Sequence, residues 1–102
     1  MDASLELKKK KILHLILIPC KTAMAYNEFP LVQYGEYDVS ICSFFPKEED
    51  IEIPAEIKLF EGNGNFVYYI ILMSRVLKGN KYDVIHIHNV HQGFLFLSFL
   101  IL

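Results

Sequence analysis

Apolar residues fall in short blocks along the chain, separated by polar or proline-bearing stretches. The first block, Ile12 to Ile18, is apolar throughout except for His14. A run of that length, closed by Pro19, predicts a strand buried on both faces of a parallel sheet. His14 falls in mid-strand and is expected to be a buried structural residue. Between Cys20 and Tyr34 the pattern is mixed, with helical character in TAMAYNEF, an interruption at Pro30 and a turn or cap at Gly35. YDVSICSFF, from Tyr37 to Phe45, predicts a second strand ended by Pro46. The acidic KEEDIEIPAE that follows is expected to be a surface loop whose charges form a solvated face. IKLFEG, Ile57 to Gly62, predicts a short third strand before the turn GNGN.

The longest apolar block is NFVYYIILMSRVLKGN, beginning at Asn65. Val, Ile and Tyr in its first half would suit a strand. Its length and its Lys78, Gly79, Asn80 ending favour a helix. Apolar residues go nearly all round it, which predicts a largely buried helix. DVIHIH predicts a further buried strand, and GFLFLSFLIL, Gly93 to Leu102, the start of another helix. The order strand, short helix, strand, strand, helix, strand, helix predicts an α/β fold. Its form would be a partial Rossmann-like domain: an open, mostly parallel sheet with flanking helices. Residues 1–10 are a charged lead-in, and 11–102 the incomplete domain.

Composition narrows the function classes. Of 102 residues, 53% are hydrophobic, enough for a core and against disorder. Ten basic and twelve acidic residues give a net charge of −2, with one basic cluster at Lys8 to Lys11. That balance argues against nucleic acid as a partner, because phosphate binding needs a basic stripe. Cys20 and Cys42 lack CxxC spacing and are expected to be buried free thiols in a reducing compartment. KKKKILHLILIPC superficially resembles an export signal. Its apolar run is short and holds His14, and Pro19 replaces the small residue expected before the cysteine. GFLFLSFLIL has about half the length of a membrane span. A cytoplasmic location is expected, with contact at the inner face of the membrane as its variant.

YDVIHIHNVHQG, residues 82–93, holds three of the four histidines. In an open α/β sheet, ligands bind beyond the carboxyl ends of the strands. The ends in view are Pro19 to Thr22, Ser43 to Lys47 and His88 to Gln92. His88, Asn89 and His91 are the best-placed polar residues, and His86 shares the face of His88 one step deeper. HIHNVH matches the H-x-H-x-D-H signature of the metallo-β-lactamase superfamily at its histidines, where neutral imidazoles hold zinc and a carboxylate completes a second site. Val90 stands at the aspartate position, and no second cluster of ligands accompanies it. No metal is therefore expected. Cys20, Cys42, Ser40 and Ser43 lack a glycine-flanked nucleophile elbow, and GNGN lacks the G-x-G-x-x-G form.

Three pieces in order, KKILHLIL, QYGEYDVSICSFF and KYDVIHIHN, resemble the opening, second and fourth strands of family 4 glycosyltransferases of the GT-B fold. That resemblance implies two Rossmann-like domains facing across a cleft, an N-terminal acceptor domain and a C-terminal nucleotide-sugar domain. It implies transfer with retention and no cofactor. His88, Asn89 and His91 would line the acceptor side, and no catalytic residue is assigned. The family's glycine-rich loop after the first strand is replaced here by IPCKTAMAY, which has no glycine. The chain stops within the apolar SFLIL, giving the expectation of a truncated N-terminal portion, inactive by itself. Nucleotide-sugar donor and glycan or lipid-linked acceptor would then be partners only in a full-length context. Self-association through the apolar C-terminal helix is also expected. Two alternatives stand beside this reading: a small metal-dependent hydrolase using HIHNVH, and a non-catalytic α/β interaction module.

Overall fold

In a computed structural model, which describes residues 9–88, the first apolar block forms strand β1, Lys11–Ile16. The chain then makes two single-turn helices, α1 (Met24–Asn27) and α2 (Pro30–Gln33). Pro30 separates them by opening α2, where its missing N–H and fixed φ cost nothing. Strands β2 (Asp38–Ser43) and β3 (Lys58–Glu61) follow, then helix α3 (Phe66–Gly79) and strand β4 (Val84–Ile87). The four strands make one sheet in the order β3-β2-β1-β4, and every pairing is parallel. With its flanking helices this is an open, parallel α/β sheet.

Alternation along β1 divides the core into two layers. Leu13 and Leu15 join Cys42, Phe44, Tyr69, Met73 and Val76 on the α3 side. Ile16 joins Val39, Ile41, Tyr26, Ile51 and Ile57 on the α1–α2 side. Both faces of β1 are covered, which is why its sequence is apolar from Ile12 to Ile16 except at His14.

Three elements depart from the sequence expectation. Helix α3 has the expected bounds, with Asn65 Oδ1 accepting from the Tyr68 N–H at its start and Asn80 donating to the Val76 carbonyl at its end. It is not largely buried. Only Tyr69, Met73 and Val76 are buried, while Phe66, Val67, Tyr68 and Ile71 are exposed. One sheet face can cover only one stripe of a helix. The acidic loop does expose Glu48, Glu49, Asp50 and Glu52, but Ile51 and Ile57 anchor it in the core. Strand β4 is an edge strand among the described residues, and its Val84 is exposed.

The two cysteines are free thiols, Cys42 buried and Cys20 only partly so. Among the described residues no helix is long and apolar enough to cross a membrane. The helix expected at 93–102 lies outside the described residues.

Candidate functional site

Parallel pairing of β1 with β4 sets His14 opposite His86. Paired residues of neighbouring strands project to the same face, and His88, two residues on, shares it. The three histidines thus meet on the α1–α2 side, each offering one ring nitrogen within 4.8 Å of the others. His14 Nδ1 lies 2.9 Å from His88 Nε2. The rings of His86 and His88 stack, with centroids 3.8 Å apart and planes inclined by 20°.

The short-helix strap closes over this cluster. Pro30 fixes the start of α2, so Phe29 and Gln33 sit at either end of one turn, above the sheet. The Phe29 ring meets His86 edge-on at 4.9 Å and His88 at 5.0 Å. Gln33 Oε1 lies 2.7 Å from His14 Nε2. An amide oxygen only accepts, so Nε2 of His14 carries the hydrogen and Nδ1 presents a lone pair toward His88.

Burial decides the charge state. His14 is fully buried, and desolvation lowers its pKa to about 4 despite the hydrogen bond it donates to Gln33, with His86 nearby adding to the fall. His88 also falls to about 4, through burial first and then through His86 and His14. Both imidazoles are therefore neutral near neutral pH, the form that ligates metals and exchanges hydrogen bonds with hydroxyl groups. Cys42 is held in the opposite sense: burial pushes its thiol up to about 12, which removes it as a nucleophile.

Of the residues singled out from sequence, His88 lies at the carboxyl end of β4, its N–H donating to the Leu15 carbonyl at 3.1 Å. His86 shares its face one step deeper, as expected. Asn89 and His91 lie outside the described residues. The carboxyl ends of β1, β2 and β4 are adjacent, because β1 pairs with both of the others. Sequence reasoning did not assign His14, Gln33 or Phe29 to the site. The signal available was that His14 and His86 are the polar exceptions in two apolar strands. A groove of about 500 Å³ lined by Lys9, Lys11, Tyr34, Tyr37, Asp38 and Glu56 lies at the other end, around the amino-terminal ends of β1 and β2.

Comparison with known proteins finds no matching family model, no matching curated protein and no matching solved structure.

Proposed function

We propose that this chain is the acceptor-side, Rossmann-like part of a retaining glycosyltransferase of the GT-B type. The observation that supports the reading is the switch in strand order at β1. From β1 the chain runs outward through β2 and β3, then crosses back to place β4 on the other side. In open α/β sheets the crevice beyond the carboxyl ends of two such strands is where ligands bind. His88 stands at that point, half-buried and neutral. A neutral imidazole both donates and accepts, which suits the hydroxyl groups of a glycan or lipid-linked sugar acceptor. Asn89 and His91, next in sequence, are proposed with it as acceptor contacts.

In this reading the nucleotide-sugar donor is held by a second domain facing the crevice. The groups that stabilise the charge of the leaving nucleotide then come from that second domain, and the 102 residues by themselves bind acceptor without turnover. The test is a titration of the full chain with oligosaccharide acceptors, followed by amide chemical shifts and paired with a donor-transfer assay. Shifts clustered at the ends of β1 and β4, weakened by His88→Ala and without turnover, are expected. Turnover by the purified chain would refute the half-site, and absence of any saturable shift would refute acceptor binding.

A further inference from the structure

A neutral hydrogen bond would account for the 2.9 Å between His14 Nδ1 and His88 Nε2. It leaves the third ring unexplained. His86 also offers a nitrogen within 4.8 Å of the other two, and three imidazoles on one apolar face are costly to desolvate without a shared partner. Zinc–nitrogen bonds of about 2.0–2.1 Å in a tetrahedron set ligand nitrogens about 3.3 Å apart. His14 Nδ1 and His88 Nε2 are 2.9 Å apart and no pair in the set exceeds 4.8 Å, so the three nitrogens lie near that spacing. Gln33 occupies the place of an outer-shell partner: it accepts from His14 Nε2–H at 2.7 Å and so holds the Nδ1 lone pair toward the centre of the cluster.

We propose that His14, His86 and His88 form a three-imidazole site for zinc or a similar first-row divalent cation, with one coordination position open. Imidazole donors select zinc, copper, nickel or cobalt over magnesium and calcium, which take oxygen ligands. The site differs from the HIHNVH signature, because His14 of a neighbouring strand supplies the third ligand. A single ion on these three rings needs no aspartate at position 90. The half-buried His86 and His88 give the ion access from solvent, while Phe29 packs against both rings. The open position would take water or a substrate oxygen, as in catalytic rather than structural zinc sites. This inference does not rest on the glycosyltransferase reading: the same histidines hold the cation whether or not the crevice takes a glycan.

The experiment uses the untagged full chain, stripped with chelator and titrated separately with Zn²⁺ by calorimetry and with Co²⁺ by visible absorption. One equivalent of each ion and the intense absorption of low-symmetry four-coordinate cobalt are expected. His86→Ala and His88→Ala should each abolish that cobalt spectrum, and Gln33→Leu should weaken affinity about 10- to 100-fold. Because His14 lies in the core, its role is read in the unmutated chain, from the imidazole ¹⁵N shift of Nδ1 on zinc addition. Absence of saturable binding would overturn the proposal. So would binding that survives both His86→Ala and His88→Ala, or a His14 Nδ1 resonance that zinc leaves unmoved.

Discussion

His14 Nδ1 faces His88 Nε2 across 2.9 Å, although 74 residues separate the two in sequence. The contact brings a fully buried neutral imidazole into the folding equilibrium. In the folded chain His14 titrates at about 4, against 6.5 when unfolded. The unfolded state therefore takes the proton first as pH falls. In the chelator-treated chain the contribution of His14 to stability should be full above pH 6.5, decline between 6.5 and about 4, and be lost below. His88, lowered likewise, adds a loss of the same sign. One such group withdraws roughly 3 kcal/mol across that window. Urea unfolding midpoints at several pH values in the window measure it, and a flat profile would contradict the burial of a neutral ring.

Gln33 controls the same ring from the other side. Gln33→Leu leaves His14 Nε2–H buried without an acceptor, which should cost about 1–3 kcal/mol. Gln33→Glu keeps an acceptor and adds a negative charge that favours the imidazolium. It should raise the folded-state pKa of His14 toward its unfolded value and so shrink the acid-side loss of stability. Imidazole NMR titration of the two variants separates the effects.

The parallel strands were legible in the sequence because a strand covered on both faces is apolar along most of its length, and Ile12 to Ile18 is apolar at every position but His14. The ends of α3 were legible through Lys78, Gly79 and Asn80. Its burial was not, because apolar residues on every side cannot reveal that the sheet supplies only one face. The histidine cluster was half legible. Period-two alternation places His86 and His88 together, but which strands pair is set by crossovers rather than by local pattern, so His14 could not be joined to them. Gln33 and Phe29 sit in a segment with no sustained periodicity, and Ile51 and Ile57 were masked by the charges around them.

Gly62 follows β3 where two backbones nearly touch. Its N–H donates to the Ser43 carbonyl at 2.7 Å, and a Cβ there would stand 2.5 Å from the Phe44 oxygen. Gly62→Ala must push β3 away from β2, at a cost of about 1–3 kcal/mol. Gly79 has nothing within 4 Å of the same hypothetical atom and ends a helix. Gly79→Ala should be neutral or stabilising by up to about 1 kcal/mol. Thermal unfolding of the pair checks this: a midpoint lowered by Gly62→Ala and not by Gly79→Ala is expected, and an unchanged midpoint in Gly62→Ala would contradict the close backbone approach.

Substitutions along α3 decide which of its apolar residues face the sheet. Met73 is fully buried, and Met73→Ala should cost about 2–5 kcal/mol. Tyr69 is also buried, and its hydroxyl donates to the Cys42 carbonyl at 3.2 Å, a bond that ties the helix to β2. Tyr69→Phe keeps the ring and loses that bond, for about 0.5–1.5 kcal/mol. Ile71 is 46% exposed, two residues from each, and Ile71→Ala should change stability by no more than about 0.5 kcal/mol. A helix buried all round would instead lose several kcal/mol at Ile71 as well. Denaturant unfolding of the three variants therefore distinguishes a helix with one covered stripe from a fully enclosed one. A large loss at Ile71 would mean that its outer face is covered in solution.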